Sequence, residues 1–471
     1  MWLPSRLPWA VLALPLLLTS PVASTQEETG TPAEEQAKRA EALEDELLEW
    51  APDADAPRDA EPPPDPAPRV PGAEPEAPAE PQASQPGVGP DDWSIEWRNG
   101  LRLRRNDKRY DLHMGGLIQL ETGVFHLDDD LRLRDAGWDA DADVRRARLF
   151  AQGVVLDRIL FKVDYDLGET EVRDLFVGLR GIPWLGTVKA GYIKEPFSLE
   201  QATSSRFNTF LERSLANTLV PRRNTGFLAT STLLEGLLRW EAGAFFVVDS
   251  FRESDGSETG FDQDWDLALR VTGVPLYRDF GSQLLLVGLS YRHRFADQES
   301  VRFSANPESR LVDALIATPD LDPVHSVDTL GVELAWVEGP LSMQAEFIGT
   351  KVRLGEGRSD YRAWGGYIQA SRFLTGEQRH FGRASGKWGR VVPKREFDWG
   401  QRHLGALEVA ARLSHLDLND GNIRGGRQTN ATLGLNWYVL SNVRFGVNAI
   451  WGHVAGDGDV WIGQTRLQID F

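Results

Sequence analysis

The sequence of 471 residues contains no cysteine, which excludes a disulfide framework, a thiolate metal site and a cysteine nucleophile. The sequence also lacks an excess of basic residues. Its formal net charge is −19, which argues against nucleic-acid binding. His-Glu-x-x-His and Gly-x-Ser-x-Gly motifs are also absent. We therefore expect that the protein is not an enzyme and that it binds no metal or other cofactor. Mean hydropathy is too low for a bundle of membrane helices.

The N-terminal fifth of the chain has three compositional segments before the main domain at 93–471. An apolar run preceded by Arg6 and followed by small residues predicts a signal peptide at 1–24 and export to a bacterial envelope. Residues 25–50 are rich in Ala, Glu and Leu, which predicts a helix, either a short coiled coil or a solvated single helix. Residues 51–92 are dominated by Pro, Ala and acids, which predicts a disordered linker.

The main domain shows strict alternation of apolar and polar residues. In the last segment Trp461, Leu467 and Phe471 share one face, and Arg466 and Gln468 share the other, which is typical of half-buried strands. A soluble sandwich would alternate in the same way. Long strands of ~9–13 residues, aromatic residues near strand ends and the terminal Phe471 favour a membrane barrel. The sequence therefore predicts an all-β fold, a sixteen-stranded antiparallel transmembrane β-barrel.

The predicted strands divide the connections into two classes. The strands are 110–125, 143–156, 159–168, 172–180, 186–194, 224–232, 237–248, 264–273, 283–295, 326–337, 340–353, 360–374, 402–416, 427–439, 442–453 and 459–471. An even number places both ends in the periplasm, so the short turns are periplasmic and the long connections 195–223, 249–263 and 296–325 lie on the other side. Segment 375–401 is long yet falls on the periplasmic side, so either a strand is miscounted or that turn is unusual.

The strand pattern points charged residues of both signs into the lumen. The predicted inward bases are Arg146, Arg148, Lys162, Arg180, Lys189, Arg239, Arg270, Arg292, Arg412, Arg444 and Arg466. The predicted inward acids are Glu121, Asp164, Asp166, Glu241, Asp266, Glu333, Glu346, Glu408 and Asp470. Because the two sets nearly balance, anion selectivity would need local clustering; the alternative is a solvated wall of cross-strand ion pairs.

Connection 195–223 carries the strongest functional pattern. Its apolar residues recur near helical spacing, which predicts a short amphipathic helix that packs on the barrel wall and narrows the pore. Its cations form the predicted anion-binding constriction, because guanidinium groups match the oxygens of phosphate. These cations are Lys194, Arg206, Arg213, Arg222 and Arg223. The alternative is an external loop with ordinary surface arginines.

Two stretches resemble the phosphate-selective porin O and P family of bacterial outer-membrane porins. The first runs from Gly191-Tyr192-Ile193-Lys194-Glu195-Pro196-Phe197-Ser198-Leu199-Glu200 through Phe210-Leu211-Glu212-Arg213-Ser214 to Pro221-Arg222-Arg223-Asn224-Thr225-Gly226. The second is Tyr367-Ile368-Gln369-Ala370-Ser371-Arg372-Phe373-Leu374-Thr375-Gly376-Glu377. The resemblance covers residues 100–471 and implies a homotrimeric channel in outer-membrane lipid, with an infolded third loop and an arginine ladder for small anions. The balanced wall charges depart from a simple phosphate-selective pattern.

Three functional hypotheses follow from these patterns. The preferred one is a diffusion channel for small anions, phosphate or polyphosphate, through an arginine-lined constriction. The second is a non-specific porin, or a structural barrel with a plugged pore and a periplasmic tether formed by the N-terminal extension in contact with the cell wall. The third is a secreted soluble β-protein.

Overall fold

The structure is a computed structural model that describes residues 92–97, 99–128, 131, 138–247, 264–355 and 357–471. The predicted signal peptide, the helical segment and all but the last residue of the linker lie outside the described residues. No helix in the described ranges has the length and apolar character required to cross a membrane.

Sixteen antiparallel strands form a closed barrel, as predicted. Each strand pairs with the next, and the last pairs with the first from Val460–Leu127 to Asp470–Leu117. The barrel strands are β3 (Tyr110–Leu127), β4 (Asp139–Val155), β5 (Ile159–Asp166), β6 (Glu171–Ile182), β7 (Gly186–Lys194), β8 (Arg223–Leu233), β9 (Leu238–Phe246), β10 (Trp265–Arg278), β11 (Gln283–Val301), β14 (Leu321–Glu338), β15 (Leu341–Leu354), β16 (Tyr361–Phe373), β19 (Ala406–Asp420), β20 (Ile423–Leu440), β21 (Val443–Val454) and β22 (Gly458–Asp470).

Six shorter strands form three two-stranded ribbons outside the sixteen. These are β1 (Trp93–Trp97) with β2 (Leu101–Arg105), β12 (Ser304–Ala305) with β13 (Ile316–Ala317), and β17 (Phe381–Gly382) with β18 (Lys387–Trp388). The first ribbon was not predicted, and its β2 pairs with the start of β3 at the short-turn end of the barrel. The other two lie within long connections, where no alternating pattern long enough to predict a strand exists.

The alternation seen in the sequence becomes the two surfaces of the barrel. On β20, Leu433 and Leu435 are 66% and 45% exposed on the outer face, whereas Thr432 and Asn436 are buried on the inner face. A belt of exposed Leu, Val, Ile and Phe residues continues this outer face around the barrel. Because the exposure of so large an apolar surface to water is unfavourable, the outer face is the face that contacts lipid.

The connections alternate between the two ends of the barrel. Turns at 156–158, 339–340 and 441–442 lie at one end, and connections at 195–222 and 302–320 lie at the other. Segment 374–405 leaves from the short-turn end, which resolves the earlier discrepancy: the strand count is right and this turn is unusual. It contains the β17–β18 ribbon and folds into the barrel.

The apolar core lies inside the barrel, where the third loop (195–222) packs on the wall. Phe197, Leu215 and Leu219 are buried against wall residues that include Ile348 and Tyr361. The loop is infolded, but the single amphipathic helix predicted for it is wrong. It forms a helix α1 (Leu199–Ala202) and a 3-10 helix (Leu215–Leu219), joined by irregular chain that follows the curved wall.

Candidate functional site

The third loop is fixed to the wall first at helix α1. The backbone amides of Leu199 and Glu200 donate to the carboxylate of Glu346 at 3.1 and 2.8 Å, which satisfies amides at the helix start. At the other end, the Nζ of Lys194 donates to the carbonyl oxygen of Gln201 at 2.7 Å. Lys194, a predicted constriction residue, therefore caps this helix.

A second anchor joins the third loop to the wall and to the opposite loop. Arg412 on β19 lies 3.3 Å from the carboxylate of Glu200 and 2.6 Å from that of Glu308. Glu308 comes from connection 302–320, so this connection also enters the barrel. The Glu200 carboxylate accepts hydrogen bonds from Ser214. Burial raises the pKa of Glu200, although the Arg412 guanidinium opposes this shift.

A third anchor holds the tip of the loop. The guanidinium of Arg466 lies 2.6 Å from the carboxylates of Glu121 and Glu212, and Arg145 on β4 lies 2.7 Å from Glu212. Burial alone would raise the pKa of Glu212, but the charges of Arg145 and Arg466 outweigh it and hold that pKa well below its usual range. Arg444 completes the anchor by donating to the backbone oxygens of Asn208 and Thr209 at 2.6 and 2.5 Å.

The predicted loop cations have different environments. Arg206 stacks on the ring of Phe150 at 4.9 Å, and burial lowers its pKa. Arg213 donates to the backbone oxygens of Glu200 and Thr203 at 3.1 and 3.4 Å, and burial lowers its pKa to about 10.

The two cations at the end of the loop also differ from each other. Arg223 pairs with Asp174 on β6 at 2.9 Å. Arg223 is close enough to repel the charges of Lys194 and Arg213. The structure therefore brings these three predicted cations together. Arg222 is exposed at the end of the loop and does not join them.

Most of the predicted lumen-wall bases are committed to ion pairs inside the barrel. Arg270 binds Glu333 and Glu241, Arg292 binds Asp266, Arg239 binds Glu241, Arg148 binds Asp166 and Lys162 binds Asp174. Arg146 donates to Gln119 at 2.6 Å. The alternative of a wall of cross-strand ion pairs thus describes much of the lumen, while Arg412, Arg444 and Arg466 hold the third loop.

Segment 374–405 enters the lumen from the short-turn end and meets the third loop. The indole of Trp388 donates to Gln344 on the wall at 2.7 Å. Arg379 donates to the hydroxyl of Thr209 at 2.6 Å and stacks on the ring of Trp388 at 5.0 Å. Arg390 pairs with Asp470 next to the C-terminus. Segment 374–405 therefore narrows the interior from the short-turn end of the barrel.

The infolded chain covers one side of the lumen more than the other. On the covered side, from β10 to β22, the side chains of Arg270 and Arg412 are each 1% exposed. On the side formed by β5–β8, Lys162 is 24% exposed, and Arg223 and Asp174 are 15% and 14% exposed. Solvent therefore reaches the wall of β5–β8, which we call the open side.

Two lysines on the open side differ from the paired bases. Among the described residues, no carboxylate lies within 4 Å of the Nζ of Lys189 on β7 or of Lys387 on β18. They interact electrostatically with each other and with Arg239 and Lys162. Burial lowers the pKa of Lys387 to about 8, Lys162 and Arg239 act in the same direction, and Glu241 and Asp174 oppose the shift. The pair is a local excess of positive charge.

Sequence reasoning missed Lys387, Trp388, Arg379, Glu308 and Arg145 as parts of the interior. A signal existed in segment 375–401, which holds six bases, three acids and two tryptophans, a composition that is unusual for a simple turn. Glu308 carried no such signal. In the described ranges, no group of three His, Asp or Glu side chains is placed to hold a metal ion.

Comparisons with known proteins give two sequence relatives and one family match. A sequence model of the family described as phosphate-selective porin O and P matches residues 118–471. The chain is 26% identical over 430 residues to Porin O of Pseudomonas aeruginosa, covering 80% of this chain and 92% of the relative. It is 28% identical over 380 residues to an uncharacterized protein of Caulobacter vibrioides, covering 79% of this chain and 74% of the relative.

Among solved structures, the chain is similar to a loop-deletion mutant of OmpT, an outer membrane protein of Vibrio cholerae. The TM-score is 0.49 at 11% identity, and the match covers 77% of this chain and all of the other.

Proposed function

The chain belongs to the phosphate-selective porin O and P family of outer-membrane channels, and from that premise we propose that it passes small anions by passive diffusion. Phosphate or polyphosphate is the proposed cargo. The proposed route follows the open side of the lumen, between the third loop and strands β5–β8.

The observation that carries the proposal is the pair Lys189 and Lys387. An anion that moves along the open side meets these two ammonium groups without a carboxylate within 4 Å of either among the described residues. Interactions at such close quarters, in a path narrowed by infolded chain, are stronger than in bulk water. Arg223 and Lys162 also line this side but share Asp174, so their net contribution is smaller.

The predicted constriction is proposed in a modified form. Lys194 and Arg213 stabilise backbone oxygens of the third loop. Both lie near Arg223, and Arg213 and Arg223 are proposed to add to the potential of the open side. Arg206 contributes from its position on Phe150. The arginines of β10–β22 are proposed to hold the infolded chain in place and not to contact the anion.

A second candidate is the plugged structural barrel. It is favoured by the contact between segment 374–405 and the third loop, which closes much of the interior. In that case residues 25–92 would tether the barrel to the cell wall from the periplasm. A non-specific porin is the remaining alternative, and for the assembled state we propose a homotrimer.

Planar-bilayer recordings test these candidates. The full chain in a KCl gradient should show a reversal potential of anion preference, and phosphate should reduce the chloride current by competing for the same path. A cation preference would contradict the proposed selectivity while leaving the channel intact. Negligible conductance that appears only after segment 374–405 is removed would favour the plugged barrel.

A further inference from the structure

The hairpin β1–β2 extends the barrel sheet beyond the point where the barrel closes. Strand β22 leaves β3 at the pair Asp470–Leu117, and the amide of Phe471 donates to the oxygen of Gly116 at 3.1 Å. Below that point β2 takes the place of β22 and pairs with β3 from Leu101–Met114 to Arg104–Asp111. The hairpin therefore hangs at the short-turn end, which is the periplasmic end.

The two faces of this hairpin have opposite character. On one face Trp93, Ile95 and Trp97 are 54%, 69% and 70% exposed. On the other face Arg102 is buried and makes two hydrogen bonds to Asp111, at 3.0 and 2.6 Å, which fix the hairpin to β3. Three large apolar side chains in a row, exposed to this degree, need a partner other than water.

The exposed face continues the lipid-facing face of the barrel. In the pairing of β1, β2 and β3, Trp97 lies opposite Leu101, and Leu101 lies opposite Met114. Met114 shares its side of β3 with Ile118 and Leu120, which are 37%, 40% and 46% exposed in that order. Because directly paired residues lie on the same side of a sheet, the apolar row of the hairpin is an extension of this belt.

The apolar row of Trp93, Ile95 and Trp97 lies at the depth of the membrane–water interface, where tryptophan is enriched. The opposite girdle is at Trp461, which pairs with His126. From His126 to Met114, a rise of ~3.3 Å per residue and a tilt of ~40° give a height of roughly 30 Å, slightly more than the ~25 Å apolar band of such barrels. Trp97 thus reaches the periplasmic interface, and Ile95 and Trp93 follow below it, where indoles favour the headgroup region.

Cations flank the apolar row. Lys108 and Arg109 are exposed in the turn between β2 and β3, and Arg105 lies 4.9 Å above the ring of Tyr110. Asp107 pairs with Arg105, and residues 105–109 hold three bases and one acid. Such a group beside indoles matches the phosphates of anionic lipid headgroups.

We propose that the hairpin β1–β2 docks on the phospholipid of the periplasmic leaflet, with Trp93, Ile95 and Trp97 in the interface and the turn 106–109 at the phosphates. The docking would hold the start of the barrel domain against the membrane. The proposal rests on the outer-membrane location of the barrel and not on its anion selectivity, so each can fail alone.

The absence of cysteine from the chain allows a direct test. Single-cysteine variants of the full chain, Ile95→Cys, Glu96→Cys and Leu120→Cys, are labelled with a nitroxide. They are reconstituted into vesicles of phosphatidylethanolamine and phosphatidylglycerol. Collision rates with oxygen, which concentrates in lipid, and with a water-soluble nickel chelate are then compared by electron paramagnetic resonance.

A label at position 95 should show an oxygen-to-nickel collision ratio well above that of position 96 and below that of position 120, because position 120 lies nearer the centre of the bilayer. A ratio at position 95 equal to that of position 96 would overturn the proposal, because the row would be in water. Protection of position 95 from both reagents would also overturn it, since a second copy of the chain would then cover the face. Retained heat-modifiable migration of each variant on gels verifies that the barrel has folded.

Discussion

The backbone amide of Trp388 donates to the hydroxyl oxygen of Thr203 across 3.3 Å. Trp388 belongs to segment 374–405, which enters from the periplasmic end, and Thr203 belongs to the third loop, which enters from the other end. The contact therefore joins two chain segments that are far apart in sequence and meet inside the barrel. The width of the channel depends on the positions of both segments.

Trp388→Ala should raise single-channel conductance. The substitution removes the indole that donates to Gln344 and supports the stacked Arg379, so the segment loses its hold on the wall. Single-channel recording in symmetric KCl measures the effect. Trp399→Ala is the matched control, because that side chain lies in the same segment but is 85% exposed. Equal conductance of both variants would show that the segment does not limit the channel.

Lys189→Gln combined with Lys387→Gln should reduce anion preference. If each charge stabilises a passing anion by about 1 kcal/mol, the loss of one lowers the anion-to-cation permeability ratio roughly fivefold and the loss of both roughly 25-fold. Reversal potentials in a KCl gradient give the ratio. The control is Lys351→Gln, since Lys351 pairs with Asp360 at 2.8 Å away from the lumen. An unchanged anion-to-cation permeability ratio in the double variant would show that other residues set the selectivity.

Anion preference should fall between pH 7 and pH 9. The pKa of Lys387 is lowered to about 8 by burial and by Lys162 and Arg239, with Glu241 and Asp174 opposing. A lysine is charged below its pKa, so the ammonium is present at pH 7 and largely lost at pH 9. Lys387→Arg should weaken this pH dependence, because arginine stays charged while Lys189 is unchanged in this variant. A pH dependence of undiminished size in this variant would assign the titration to another group.

Arg412→Ala should destabilise the barrel by about 3–5 kcal/mol, because it leaves the buried carboxylates of Glu200 and Glu308 without their counter-charge. Unfolding in urea, followed by tryptophan fluorescence in detergent, measures the loss. Arg353→Ala is the control: its side chain is 55% exposed, and such pairs contribute about 0–1 kcal/mol. Equal stability of the two variants would mean that the loop is held by its apolar contacts alone.

Deletion of residues 26–90 should leave conductance and ion preference unchanged, because the barrel closes on itself between β3 and β22 without these residues. The proposed trimer should dissociate at a lower temperature if the extension supports assembly. Bilayer recordings and gel migration after graded heating measure the two properties separately. A changed conductance would place part of the extension in the channel.

The sequence by itself determined the barrel. A side-chain period of two over long strands, as between Leu433 and Leu435 on one face and Thr432 and Asn436 on the other, fixes which face meets lipid. Closure then follows because lipid cannot satisfy an open sheet edge. For the same reason all sixteen predicted strands are present in the structure, within a few residues at their ends.

Only the tertiary structure decided which charges remain available inside. Arg412 and Lys189 both point inward by the same alternation, yet Arg412 binds Glu308 from a distant loop while Lys189 has no carboxylate within 4 Å among the described residues. Alternation assigns a face but not a partner, because partners inside a barrel come from segments far apart in sequence. The infolding of segment 374–405 likewise depends on contacts such as Trp388 with Thr203, which no local pattern encodes.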